Sequence, residues 1–222
     1  MQICPMDHHL FPGRPVQDTV SIILRHAERD PITDMAHALE VRLTDSGKFA
    51  AYSLGTHLAG YGPVNLFHSP VMRCLETARS LLEGIKSAEE DALLIGPLNE
   101  LGGPYITGDW RELVKCVKEH GQPLFIRKWF DNELPSDLIM PLSLAAELHL
   151  RLIYTQLCSE RSAINITHDW NIMVLREHYF NLRHEDLGEP GYLDGFCAYL
   201  EAGQIVLTYH EHSAAISPPL SD

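Results

Sequence analysis

Apolar and polar positions alternate between two regimes along this chain, short β-branched runs and longer stretches with helical spacing. Thr19-Val20-Ser21-Ile22-Ile23-Leu24 reads as a buried strand and stops abruptly at Arg25-His26-Ala27-Glu28-Arg29-Asp30-Pro31. Phe49, Leu54, Leu58 and the intervening alanines predict a helix capped by Thr44 and running to Gly60. Val64 to Phe67 predicts a second strand, ending at His68-Ser69-Pro70. The helix expected after it has Pro70 near its first turn and Cys74, Leu75, Ala78, Leu81 and Leu82 on its apolar face. Ala92 to Ile95 is a third strand. Residues 97–141 lose this regularity, with several Gly and Pro plus Trp110 and Trp129, and read as an insertion over the sheet rather than as core. Helical spacing returns from Leu142 to Cys158. Ala163 to Ile166 is a fourth strand, ending at Thr167-His168-Asp169, and Trp170 to Phe180 continues as a helix. Gly195 to Leu200 and Gln204 to Tyr209 predict a hairpin around Glu201-Ala202-Gly203. Residues 1–18, with Pro5, Pro12, Gly13 and Pro15, read as an irregular leader.

Strands alternating with helices predict an α/β fold, an open and mainly parallel sheet with helices on both faces and the hairpin as an antiparallel edge. The length of 222 residues fits a single domain over 1–222, with a small cap insertion at about 97–141.

Composition narrows the function. A formal net charge of -13 disfavours nucleic acid as a partner, and an anionic substrate would need a local cluster of arginines set against that global field. The five cysteines, at 4, 74, 116, 158 and 197, are scattered without C-x-x-C spacing, so reduced thiols are expected rather than disulfides or structural zinc. The N-terminus lacks a secretory pattern, and no apolar run approaches the ~20 residues of a membrane span, so a cytoplasmic protein with no membrane partner is expected.

Three predicted strands end in polar or charged clusters: Arg25-His26-x-Glu28-Arg29, His68-Ser69-Pro70 with Arg73 one turn on, and Thr167-His168-Asp169. In an open parallel sheet the C-terminal ends of the strands share one edge, so these clusters can converge. Such a pocket suits phosphoryl transfer, whose transition state spreads negative charge over three oxygens that forked guanidiniums can hold. An imidazole among arginines keeps a free lone pair at neutral pH and can act as nucleophile, while the leaving alkoxide takes a proton from a carboxylic acid.

These residues resemble the signatures of the histidine phosphatase superfamily, which includes phosphoglycerate mutases and histidine acid phosphatases. Arg25-His26-Ala27 is similar to its Arg-His-Gly motif, and Arg29-Asp30-Pro31 extends it towards the acid phosphatase pattern. Leu43-Thr44-Asp45-Ser46-Gly47, Ser69-Pro70-Val71-Met72-Arg73-Cys74-Leu75-Glu76-Thr77-Ala78 and His168-Asp169 resemble three further segments, in the family's order.

The resemblance implies a three-layer α/β/α sandwich of the phosphoglycerate mutase-like type. It implies a phosphatase acting on a phosphomonoester or a phosphohistidine, through a covalent phosphohistidine on His26. Arg25, Arg29, Arg73 and His168 would bind the phosphate, with no cofactor or metal. Either Glu100, in the segment after the third strand, or Asp169 would donate the proton; the shortness of the chain favours Glu100. The substrate would be a small phosphorylated metabolite or a phosphoprotein. The alternatives are a mutase-like phosphotransferase and a catalytically silent phosphate-binding protein of the same fold. Ala27 departs from the usual glycine, and His68 stands where a small residue is common. His68 could line the pocket or serve the strand end, and Trp110 and Arg111 could contact the rest of the substrate or form a solvated cap surface. No convergence is predicted for Glu177-His178, His184-Glu185-Asp186 or His210-Glu211-His212, so no metal site is expected there, nor at His8-His9.

Overall fold

The computed structural model describes residues 19–34 and 37–220, so the leader expected over 1–18 lies outside the described residues. The strands are β1 (Val20–Arg25), β2 (Val64–His68), β3 (Ala92–Pro97), β4 (Ser162–Thr167), β5 (Gly195–Glu201), β6 (Gln204–Tyr209) and β7 (His212–Ile216). The helices are α1 (Asp45–Leu58), α2 (Met72–Ser87), α3 (Trp110–His120), α4 (Gln122–Phe130), α5 (Leu142–Leu157), α6 (Asp169–Phe180) and α7 (His184–Leu187), with a 3-10 turn at Asn99–Leu101.

The sheet order is β3-β2-β4-β1-β5-β6-β7, with β3, β2, β4 and β1 parallel and β5 to β7 added antiparallel. The predicted hairpin forms, and Ala202 and Gly203 both take positive φ in its two-residue turn, the conformation that suits the twist of the flanking strands. The edge continues one strand further than expected. His212–Ile216 is short and built partly of small residues, so it carried no strand signal.

Side chains alternate across the sheet. Ile22, Leu24, Leu66 and Ile164 face α1 and α2, while Ile23, Phe196 and Leu207 pack with Leu150, Ile153 and Ile172 of α5 and α6. The fold is thus three layers, and the central strands β1 and β4 are buried along their whole length. Pro70 precedes α2 instead of entering its first turn, because Val71 is the extended N-cap residue.

The segment expected to lack regularity contains α3 and α4. It buries a cluster of its own, with Tyr105, Phe125, Ile126 and Trp129 packed on Ala145, Ala146, Met173 and Val174 of α5 and α6. Tryptophan and phenylalanine at the right spacing make a core here despite the flanking Gly and Pro. Among the described residues no helix is long and apolar enough to cross a membrane.

Candidate active site

The central strands deliver the expected clusters to one place. His26 follows β1 directly, and its N–H donates to the Thr167 carbonyl at the end of β4 (2.9 Å). Ser69 follows β2 and binds the Ile166 carbonyl in the same way (2.9 Å). Helices α2 and α6 begin here, bringing Arg73 in the first turn of one and His168 at the N-cap of the other. The resulting cavity of about 430 Å³ is lined by Arg25, His26, Arg29, Arg73, His168 and Asp169, with Gly102, Gly103, Tyr105 and Ile106 forming a wall after β3. Helix N-termini add partial positive charge at the same edge.

His26 is 2% exposed, and its Nδ1 lies 2.8 Å from the Ala27 carbonyl. A carbonyl only accepts, so Nδ1 carries the proton and Nε2 keeps its lone pair. Arg73 Nε donates to that Nε2 at 3.1 Å. Burial, opposed by the Ala27 hydrogen bond and helped by the charge of Arg73, lowers the His26 pKa to about 2. Arg73 also spans to His168 Nδ1 (3.3 Å) and to the Ala38 carbonyl (2.9 Å). His168 therefore accepts at Nδ1 and donates from Nε2 to Ser69 Oγ at 2.9 Å. Its pKa falls to about 3, through burial first and then Arg73 and Arg25. Both rings are neutral at pH 7.

Arg25 reaches Asp169 Oδ2 at 3.0 Å and the Pro190 carbonyl, and its guanidinium lies 4.6 Å from the centre of the Tyr192 ring. Arg29 donates to the Asp30 carbonyl at 2.8 Å. The Nε atoms of Arg25 and Arg29 are buried without a hydrogen-bond partner. Three guanidiniums thus face two lining carboxylates, Asp169 and Glu189, with donor capacity left over. Such a hollow favours an oxyanion.

Two motif features have local structural reasons. Thr44 caps α1 by accepting from the Gly47 N–H at 3.0 Å, and a Cβ on Gly47 would sit 2.1 Å from the Glu28 carbonyl oxygen. Only glycine lets α1 approach the loop after β1 so closely. Glu28 itself accepts from Thr44 Oγ1 (2.7 Å) and Ser46 Oγ, so it anchors this junction. The Ala27 methyl is absorbed in the core beneath the loop, and its N–H donates to Thr77 Oγ1 at 3.0 Å.

Four expected site residues lie outside this cavity's lining. Glu100 is exposed on the 3-10 turn. That turn is anchored the other way round: Leu101 is fully buried, its carbonyl accepts from Thr167 Oγ1 (2.7 Å), and the Gly102 carbonyl accepts from Asn171 Nδ2 (2.8 Å). His68 is buried at the end of β2 with Nδ1 on the Ser69 carbonyl (2.8 Å). Trp110 is 55% exposed on α3, and Arg111 beside it is also exposed.

Sequence reasoning missed Tyr192, whose ring centre is 5.8 Å from that of His26, and the Gln122–Glu189 hydrogen bond (2.8 Å) at the cavity rim. Neither carries a local signal, because both depend on the chain between α7 and β5 folding back over the site. The structure also corrects the expectation for Glu177 and His184-Glu185. These three side chains do converge, at the C-terminal end of α6.

Residues 21–102 match the family model of the histidine phosphatase superfamily (branch 1). The fold is similar to that of a mycobacterial hydrolase at 18% identity and a TM-score of 0.60, covering 88% of this chain and 99% of that one. It is also similar to mycobacterial glucosyl-3-phosphoglycerate phosphatase (17% identity, TM-score 0.56, covering 82% and 90%). A phosphoserine phosphatase from Entamoeba histolytica, solved with phosphoserine, gives 17% identity and a TM-score of 0.55 over 86% and 96%. At these identities the likeness establishes the fold. No curated protein matches the chain.

Proposed function

We propose that this chain, whose segment 21–102 belongs to the histidine phosphatase superfamily, hydrolyses a phosphomonoester through a phosphohistidine on His26. The observation that carries the proposal is the neutral His26 ring. Its proton is fixed on Nδ1 by the Ala27 carbonyl, and its free Nε2 faces Arg73 and His168 in a cavity with a surplus of guanidinium charge.

In the first step Nε2 attacks phosphorus and forms a P–N bond as the P–O ester bond breaks. Arg25, Arg29 and Arg73 hold the three non-bridging oxygens, so Arg73 exchanges its bond to the imidazole for one to the phosphoryl group. The leaving oxygen takes a proton from Asp169. This carboxylate lines the cavity beside Arg25, within reach of an ester oxygen whose phosphoryl group the arginines hold. Water then attacks the phosphohistidine with Asp169 as base, releasing inorganic phosphate and restoring Nε2. A cavity of about 430 Å³ accommodates a small phosphorylated metabolite or a single phosphorylated side chain of a protein.

Rapid-quench labelling with a radiolabelled phosphomonoester tests the reading. An acid-labile, base-stable phosphoprotein is expected, with hydrolysis falling roughly 10³-fold or more in His26→Ala. Phosphate release that survives in His26→Ala would refute it.

A further inference from the structure

We infer that Glu177, His184 and Glu185 bind one divalent transition-metal ion, with zinc the best match, at a site separate from the catalytic cavity. One oxygen from each carboxylate and one ring nitrogen of His184 lie within 4.8 Å of one another, close enough to share an ion after small side-chain rotations. His184 is 9% exposed, and neither of its ring nitrogens has a hydrogen-bond partner. Its Nδ1 stands 3.1 Å from Glu185 Oε2 but is misaligned for a hydrogen bond. Glu177 Oε2 is likewise buried and unpartnered. Buried imidazoles and carboxylate oxygens are normally satisfied, so two orphans side by side point to a missing partner that accepts lone pairs. A metal ion is such a partner.

Local backbone brings the ligands together. Glu177 sits in the last turn of α6, which ends at Asn181 in the left-handed conformation (φ 54°, ψ 33°). The chain reverses there, and His184 and Glu185 open α7 against Glu177. Arg127 of α4 then holds the outer side of the cluster, with Nη2 on Glu177 Oε1 (2.7 Å) and Nη1 towards Glu185 Oε2 (3.4 Å). Asp131 lies 3.1 Å from Arg127 Nε, and Arg183 Nε lies 3.7 Å from Glu185 Oε2. Three carboxylates therefore face two guanidiniums, leaving one negative charge in surplus around the imidazole. In this arrangement Arg127 orients the carboxylates, as outer partners of metal ligands commonly do.

The donor set chooses the metal. One imidazole nitrogen with two carboxylate oxygens suits zinc and leaves a position for water, whereas magnesium and calcium prefer oxygen alone. The ion would cross-link α6 and α7, with α4 attached through Arg127. The segment after α7 carries the Pro190 carbonyl that holds Arg25, and Tyr192 beside His26, so occupancy would also steady that wall of the cavity.

Cobalt(II) titration of the chelator-treated full chain, followed by absorbance, reads the site directly. The wild type is expected to take up one equivalent, with visible bands of nitrogen and oxygen ligation and no near-ultraviolet thiolate band. Glu185→Ala, at an exposed position, and His184→Ala should each weaken binding by more than the ~10–100-fold typical of losing an outer partner. Zinc should compete for the same equivalent and raise the thermal midpoint of the wild type but of neither variant. Because Glu185 is exposed, its variant keeps the test meaningful if His184→Ala folds poorly. No uptake at millimolar cobalt, a thiolate band, or equal affinity in Glu185→Ala would overturn the inference.

Discussion

The two ends of α6 hold opposite kinds of charge. At its N-terminus His168 and Asp169 open onto a cavity where guanidiniums outnumber carboxylates and buried N–H donors lack partners. At its last turn Glu177 joins a cluster where carboxylates outnumber guanidiniums, and the buried atoms without a hydrogen-bond partner are Glu177 Oε2, both ring nitrogens of His184 and Arg127 Nε. The helix dipole favours the counter-ion at each end, an anion at the first and a cation at the second. The surplus charge in each region has opposite sign, and it says what each lacks. The cavity lacks an anion, and the far cluster lacks a cation.

Removing the cationic centre of the first region should have the largest effect. Arg73→Ala takes away the donor facing His26 Nε2, and kcat/KM for a phosphomonoester should drop by roughly 10³-fold in steady-state assays. The corresponding deletion at the other end, Arg127→Met, leaves the mostly buried Glu177 carboxylate without its guanidinium. It should cost roughly 3 kcal/mol in urea unfolding. An unchanged midpoint would mean the cluster contributes nothing to the fold.

Next comes the proposed proton donor. Asp169→Asn should slow hydrolysis of an alkyl phosphate by roughly 10²-fold or more, and an aryl phosphate with a good leaving group much less. Glu100→Gln, outside the cavity, should change neither more than a few-fold. The reverse ranking would return the role to Glu100.

The gentlest perturbation, a change of pH within one pH unit, probes the neutral histidines of the cavity. His26 and His168 have folded pKa values of about 2 and about 3, below the usual 6.5. As pH falls from about 6.5 towards 3, the unfolded chain binds two protons that the folded chain refuses. Stability should therefore decline with acid, by about 1.4 kcal/mol per pH unit for each histidine. Urea titrations across this range check the slope, which His168→Gln should roughly halve.

Much of this architecture was legible in the chain. The apolar runs ending in charge marked β1, β2 and β4 and placed His26, Arg73 and His168 at one edge, because parallel strands must end together. Thr44 and Gly47 carried the start of α1 through capping chemistry and a close backbone approach. The cap was harder to read, since its helices are short and its core forms only against α5 and α6.

By itself the sequence determined the layers, the strand ends and the imidazole and guanidinium groups that meet there, since periodicity and local chemistry act over a few residues. Tertiary structure decided which groups share a surface across long separations. Burial of Leu101 against α6 and β4 turned Glu100 outwards, and the chain after α7 laid Tyr192 and Glu189 over the cavity. Those outcomes depend on where distant segments pack, and no local pattern encodes that.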